Sequence, residues 1–336
     1  MSASWSRRAL LTALACSSAG GLVACESQSG DDEQVGPTDA AGRPIPSRPA
    51  DVELLLAVLQ HARHLVSLGR DLGPGPQSGL LREVQMAHGQ QADVLARLLR
   101  AAGVDPGTPS ELPEAGASAT SSPLPADTAA SSTAAAAPVL PRAERVAALV
   151  TAVSDDATPE RLRPLSGASA ANLPMLVSLH GERAAAALLL GGRISWPTLS
   201  GPAGARTVGL LAALRPAVYT LEVVAARASG EERGRFESVL ASLGGLTRQV
   251  TELAGPAAPA APLGYGLPEP LSTPAQRARL VTQALAPLPA AVVVGTAGLT
   301  GDSAGINGSV RLLAEVTRLG HPFGLPVTGF PGMTVP

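Results

Sequence analysis

The sequence contains no lysine, so all 25 of its strongly basic residues are arginines. This absence excludes a phosphate-loop lysine, a Schiff-base lysine and the strand lysine of a protein kinase. Aromatic residues make up only 2% of the chain, whereas hydrophobic residues make up 45%. A core of leucine, valine and alanine with so few aromatic and β-branched side chains favours packed helices over a β-sandwich.

The charge of the chain bears on its partners. The formal net charge is −2 at pH 7, so the chain has no basic excess for binding phosphate backbones. The scarcity of phenylalanine, tyrosine and tryptophan also removes the stacking surfaces that single strands need. We therefore expect no nucleic-acid partner.

The amino-terminal segment has the pattern of a bacterial export signal. Arg7 and Arg8 precede an apolar run of small residues that ends in Leu22-Val23-Ala24-Cys25. This order is typical of a lipobox, in which the cysteine is acylated and becomes the first residue of the mature protein. We therefore predict a lipoprotein signal peptide at residues 1–24. We also predict that Cys25 is lipidated and that palmitate is among its acyl groups.

Lipidation would set the location and the redox chemistry of the mature chain. Only one other cysteine exists, Cys16, and it is removed with the signal, so no intramolecular disulfide is possible. The apolar run 9–23 is shorter than the roughly 20 residues of a membrane span. We expect a lipid-anchored protein on the extracytoplasmic face of the cell membrane, with the membrane as partner through Cys25. The twin-arginine and general secretory routes both stay open.

Composition and periodicity divide the rest of the chain. Residues 25–50 are polar and are predicted to form a flexible tether. Helical periodicity predicts an amino-terminal helical bundle over 51–197, with Asp51 as its first N-cap. A disordered, Pro/Ala/Ser-rich insert is predicted at 104–139 within that bundle. A second, carboxy-terminal bundle is predicted over 203–336.

The spacing of apolar residues and the positions of prolines predict the individual helices. One pair of segments is also similar between the two halves of the chain. In the first half, helices are predicted at 51–72, 78–102, 141–153 and 169–190, the last with a break near Pro174. In the second half, they are predicted at 203–228, with a bend at Pro216, and at 231–254 and 306–319. Between these last two, a helix is predicted to begin at Pro274 and to be broken by Pro287 and Pro289. The segment Leu55–Ala62 aligns with Leu210–Ala217. Such a match indicates a tandem duplication.

Motifs in the second half resemble a known family. They are Tyr265-Gly266-Leu267-Pro268-Glu269-Pro270, the proline-capped helix that follows it, and Gly329-Phe330-Pro331-Gly332. With them, residues 203–333 resemble an uncharacterised family of ferritin-like domains in actinobacterial exported proteins and lipoproteins. The resemblance implies a four-helix bundle with no agreed activity. Together with the duplication, it gives an all-α fold of tandem ferritin-like four-helix bundles.

Three histidines are candidate metal ligands. His61, His88 and His180 each lie in the middle of a predicted helix on an apolar stripe, so in a bundle they could meet around a transition metal. The alternative is that they are buried polar residues, satisfied by nearby glutamines or backbone groups. No glutamate is followed by a histidine three residues later, so we expect no standard di-iron site.

The sequence predicts no catalytic residue. Gly301-Asp302-Ser303-Ala304-Gly305 fits the G-x-S-x-G pattern, but no aspartate follows Ser303, so we interpret it as an interhelical turn. The favoured function is a non-catalytic binding or scaffold role at the cell envelope, with no cofactor and an unidentified partner. The alternative is metal binding or a ferritin-like oxidoreductase activity in the first bundle.

Overall fold

The computed structural model describes residues 51–70, 72–107, 141–267 and 271–335. All of them belong to one compact unit, and their regular secondary structure is entirely helical, which confirms the all-α class. The predicted signal peptide, the tether and the insert from residue 108 onward lie outside the described residues.

The described residues form ten α-helices. These are α1 Val52–Gly69, α2 Ser78–Ala101, α3 Arg142–Asp155, α4 Pro159–Leu162, α5 Leu173–Leu189, α6 Val208–Arg227, α7 Gly230–Ala254, α8 Pro274–Leu285, α9 Leu288–Val294 and α10 Ser303–Gly320. Short 3-10 turns lie at Arg163–Gly167, Gly204–Thr207, Gly255–Ala257, Thr296–Leu299 and His321–Phe323. Every predicted helix has a counterpart, whereas α4 and α9 are elements that the sequence does not predict.

Prolines define several helix ends. Thr273 caps α8 in a capping box with Gln276, and Pro274 occupies the first turn, as predicted. The predicted break near Pro174 is wrong, because α5 begins at Leu173 and Pro174 lies in its first turn. A proline is tolerated there since the missing N–H has no intrahelical partner.

Asp51 occupies the N-cap position of α1, as predicted, but its side chain makes no capping hydrogen bond. Its carboxylate instead accepts hydrogen bonds from the backbone N–H of Ser169 and from Nδ2 of Asn172, just before α5. These long-range donors compete successfully with the local N–H groups of α1. Asp51 thus ties the start of α1 to the start of α5.

Helix α5 lies at the centre of the molecule. Nearly every residue from Leu173 to Ala187 is buried, as expected of a helix that is apolar all round. It packs extensively against α10. Gly181 allows this close approach, because a Cβ there would lie 2.6 Å from Cδ2 of Leu313.

Helix α10 contributes to two hydrophobic cores. Its residues Ile306, Val310 and Ala314 pack into a core formed mainly by α1, α2 and α5. On another face, Leu312 and Val316 belong to a core formed mainly by α6 to α9. The two cores follow the two halves of the sequence but share this helix, and the ferritin-like arrangement of each half stays a prediction.

The carboxy-terminal tail is irregular after residue 323, yet it is partly buried. Phe330 is 2% exposed and packs in the core of α1, α2 and α5. Gly329 N–H donates to Oε1 of Gln90, and the carbonyl of Pro331 accepts from Oγ of Ser178. The tail is therefore fastened to α2 and α5, helices of the first half.

Within the described ranges, one helical segment is long and apolar enough to cross a bilayer by length and composition. This segment is Gly204–Arg227, which contains α6, and 44% of its most apolar window is buried. Leu211, Leu214 and Leu221 are fully buried in the core with α7 to α9. A core helix passes the same test of length and composition.

Candidate functional site

Seven polar side chains cluster inside the first core, where α1, α2 and α5 meet the end of α3. We call this group the central polar cluster. It consists of His61, His88, Gln91, Asp156, His180, Glu182 and Arg183. All of them except His61 are at most 4% exposed. Buried polar groups are usually hydrogen-bonded, and most members of this cluster bond to one another. However, Nε2 of His88, Oε1 of Glu182 and Nη2 of Arg183 have no hydrogen-bond partner among the residues that the structure describes.

Helix periodicity brings these residues together. His88 and Gln91 are three residues apart on α2 and therefore share its buried face. Glu182 and Arg183 are adjacent in the middle of α5, which is buried on every side. Asp156 follows α3 directly.

Asp156 makes the most polar contacts in the cluster. Its Oδ2 lies 3.0 Å from Nη1 of Arg183 and 2.8 Å from Nε2 of His61, although the angle of the His61 contact is outside the hydrogen-bond range. Its backbone carbonyl lies 3.1 Å from Nδ1 of His180. Because a carbonyl oxygen only accepts, the proton of neutral His180 is on Nδ1.

Gln91 links α2, α5 and the tail. Its Nε2 donates to Oε2 of Glu182 at 2.6 Å and to the carbonyl of Gly329 at 3.1 Å. Its Oε1 accepts from Nε of Arg183 at 3.0 Å. The Gly-Phe-Pro-Gly motif therefore supplies a backbone acceptor to the cluster.

Burial sets the protonation of the acid and the two innermost histidines. Burial raises the pKa of Glu182 to about 8, although the charge of Arg183 opposes the shift, so Glu182 is mainly neutral at pH 7. Burial and the charge of Arg183 lower the pKa of His88 to about 3. Burial likewise lowers the pKa of His180 to about 4, against the attraction of Asp156. Both histidines are neutral at pH 7.

Asp156 keeps its charge despite its burial. Burial acts to raise the pKa of this carboxyl, but the contact with His61 and the charge of Arg183 outweigh it and hold the pKa well below the usual range. At pH 7 the buried part of the cluster therefore contains one ion pair, Asp156–Arg183, among neutral groups.

The three predicted metal ligands belong to this cluster, but they contact different groups. His61 lies against the Asp156 carboxylate, and His180 bonds to the Asp156 carbonyl, as the backbone alternative predicts. Nε2 of His88 is 3.7 Å from Oε2 of Glu182, beyond hydrogen-bond distance. In the part of the chain that the structure describes, no three His, Cys, Asp or Glu residues are grouped to hold a metal ion.

The guanidinium of Arg183 occupies the place beside the Asp156 carboxylate that a metal ion would take. A divalent metal within a few ångströms of the same carboxylate would be repelled by the guanidinium, strongly so in a buried site of low dielectric. The arrangement therefore favours an internal arginine as the counter-ion of Asp156. Metal binding by His61, His88 and His180 stays a prediction.

Asp156, Glu182 and Arg183 are the members that the sequence analysis does not single out. A signal for Arg183 exists, because Glu182-Arg183 is the only pair of adjacent charged residues in an otherwise apolar helix. Such a pair indicates charges that are buried and partnered. Asp156 gives no comparable signal, since it follows Asp155 in a polar stretch.

Ser303, the serine of the G-x-S-x-G pattern, has a structural role at the start of a helix. It is the first residue of α10, and the side chain of Asp302 accepts a hydrogen bond from the Gly305 N–H at 2.8 Å. The glycines and serine of the G-x-S-x-G pattern thus belong to a capped helix start between two helices. This confirms the interpretation of the pattern as an interhelical turn.

No family model matches the chain, and neither does any curated protein or solved structure. The fold class rests on the helices themselves. The resemblance to the ferritin-like family stays a prediction.

Proposed function

We propose that this chain is a lipoprotein on the extracytoplasmic face of the cell membrane, with a helical domain that serves as a non-catalytic binding or scaffold unit. The anchor is supported by the order of Arg7-Arg8, the apolar run and Leu22–Cys25 in the sequence. The acyl chains on Cys25 would hold the domain at the membrane surface.

The buried ion pair between Arg183 and Asp156 is the observation that carries the non-catalytic role. General acids and bases must reach a substrate, and they usually line a cleft. Here Asp156, Glu182 and Arg183 are at most 4% exposed, and their partners are other residues of the chain. Such a network supports a rigid domain better than it supports turnover.

We further propose that the two halves descend from a duplicated ferritin-like bundle. Two cores, each formed mainly by the helices of one half, support this origin. The inward histidines of the first half, His61, His88 and His180, would then be remnants of an ancestral metal site, now organised around an arginine.

Metabolic labelling tests the anchor. The full chain is expressed in a bacterium that is fed an alkyne analogue of palmitate, and the label on the purified protein is measured. The wild type should carry the label and Cys25→Ser should lose it. Cys16→Ser, the matched control within the signal, should keep it. A wild type without label, or an equally labelled Cys25→Ser, would contradict the proposal.

A further inference from the structure

A cavity of about 260 Å³ lies between α10 and the segment that follows α5. One side is formed by residues 197–200, and the other by the first turns of α10. Pro159 closes an edge. This volume is just below the range of about 300–1,000 Å³ that is usual for small-molecule sites, so it suits a small ligand or one end of a longer one.

Close backbone packing fixes the shape of this cavity. A Cβ at Gly308 would overlap the carbonyl oxygen of Gly201, so the segment lies directly on α10 only because residue 308 is glycine. Nη1 of Arg311 donates to the carbonyl of Pro197 at 3.0 Å. These contacts hold the two walls together beside the cavity.

Among the described residues, Arg311 is the only charged one that lines the cavity, and no acidic one lines it. Its Nε–H is buried without a hydrogen-bond partner, so much of the guanidinium's donor capacity is unused by the described chain. Two buried arginines each pair with a carboxylate, whereas Arg311 has no carboxylate partner in the described part of the chain. Arg183 pairs with Asp156 at 3.0 Å, and Arg277 pairs with Glu232 at 2.6 Å.

The remaining lining residues indicate the chemistry of a ligand. Thr198, Ser200 and Asn307 carry neutral hydrogen-bonding groups, whereas Leu199 and Ala304 present apolar atoms. A guanidinium binds a carboxylate through two parallel hydrogen bonds. We propose that this cavity binds a carboxylate on a short apolar stem, with Arg311 as its counter-ion.

Such a group could come from a free short-chain acid or from the carboxy-terminal residue of a peptide. Either source gives the binding role of the proposed function a defined site. The site does not depend on lipidation of Cys25, so labelling of Cys25 and ligand binding are separate measurements that fail separately.

Trp196 is a built-in reporter, because it directly precedes Pro197 of the cavity wall and the only other tryptophan is Trp5. The full chain with Trp5→Phe is titrated with isovalerate and with an acetylated dipeptide ending in leucine. The amides of both compounds serve as uncharged controls. Tryptophan fluorescence and calorimetric heat are recorded. We expect saturable binding of at least one acid and none of either amide.

Two variants test the site by different means. Arg311→Gln removes the charge and should weaken binding roughly tenfold to a hundredfold. Ala304→Leu fills the cavity without a charge change and should abolish binding. Arg248→Gln, on the exposed face of α7, removes an equal charge elsewhere and should bind like the wild type. Circular dichroism confirms that each variant is folded.

Three results would overturn the proposal. They are the absence of saturable fluorescence change and heat with both acids, equal binding of an acid and its amide, and unchanged affinity in folded Arg311→Gln. If only the dipeptide acid binds, the ligand is a peptide terminus. If only isovalerate binds, the ligand is a small free acid. Binding of either acid alone supports a carboxylate site in the cavity.

Discussion

Nη1 of Arg183 lies 3.0 Å from Oδ2 of Asp156, and the two side chains are only 1% and 5% exposed. The pair joins the middle of α5 to the residue after α3, and Nε of the same arginine reaches Gln91 on α2. Desolvation makes a buried pair costly to form, so its net contribution to stability is small. Removing one partner is much worse, because it leaves an uncompensated charge in the interior.

Arg183→Met should therefore lower the free energy of unfolding by about 3–5 kcal/mol, measured by urea denaturation at pH 7. The physical cause is the buried Asp156 anion, which loses its counter-ion. Adding Asp156→Asn to the same chain removes that anion, so the double variant should recover part of the lost stability. If the loss of stability in the double variant equals the sum of the losses in the two single variants, the two residues have no energetic coupling.

Arg233→Met is the matched control for this prediction. Arg233 pairs with Glu237 at 2.7 Å on α7, but both side chains are about half exposed. Exposed pairs at this helical spacing contribute about 0.3–0.5 kcal/mol, so the control should change stability by no more than that. Equal losses in both arginine variants would contradict the distinction between the two pairs.

Stability should fall as the pH rises from 6.5 to 8, because of Glu182. The folded pKa of this carboxyl is raised by burial to about 8, above the ordinary value of 4.5, so the folded state binds more protons than the unfolded state in this window. The loss is at most about 1.4 kcal/mol per pH unit. Urea denaturation at several pH values should show this slope in the wild type. Glu182→Gln should lack it, and an unchanged slope in that variant would contradict the assignment.

The histidines should produce the opposite trend below pH 6.5. Burial lowers the folded pKa of His88 to about 3 and of His180 to about 4, so protonation favours the unfolded state as the pH falls from 6.5. Below pH 4.5, Glu182 no longer offsets this loss. His88→Gln should reduce the slope of stability between pH 6.5 and 4. An unchanged slope in His88→Gln would contradict the lowered pKa of His88.

Local rules explain why the helices could be predicted from the sequence. Thr273 and Pro274 define a helix start through backbone groups within one turn, and Thr273 forms a capping box with Gln276. The glycine and proline run after residue 72 separates α1 from α2, again by local backbone restriction. The apolar stripes also placed His88 and His180 correctly in the interior, since burial follows helical periodicity.

Long-range partners explain what could not be predicted. The Asp51 carboxylate bonds to residues 169 and 172 rather than to its own helix, and no local pattern specifies that choice. The pairing of Asp156 with Arg183 likewise depends on how α3 and α5 pack. A stripe of apolar residues predicts that a polar side chain points inward, but its partner is fixed only when the helices are assembled.

Gly308→Ala should destabilise the protein, because the new Cβ would overlap the backbone carbonyl oxygen of Gly201. Backbone must then move, and overpacking of this kind typically costs about 1–3 kcal/mol. Gly234→Ala, in the exposed part of α7, is the control, since a Cβ there meets no atom within 4 Å. The control should stabilise the helix by about 0.5–1 kcal/mol. Thermal denaturation should therefore give a lower midpoint for Gly308→Ala and a higher midpoint for Gly234→Ala. A neutral Gly308→Ala would show that the segment is free to shift.

Chelation should not change the stability of the purified full chain. Arg183 already supplies the positive charge beside Asp156, so folding needs no metal at that carboxylate. Thermal denaturation with and without EDTA should give the same midpoint, and elemental analysis should find well under one transition metal per chain. The ferritin-like metal alternative predicts the reverse. It requires a stoichiometric metal that is lost in His61→Ala and in His180→Ala but kept in His321→Ala, together with a midpoint that falls on chelation.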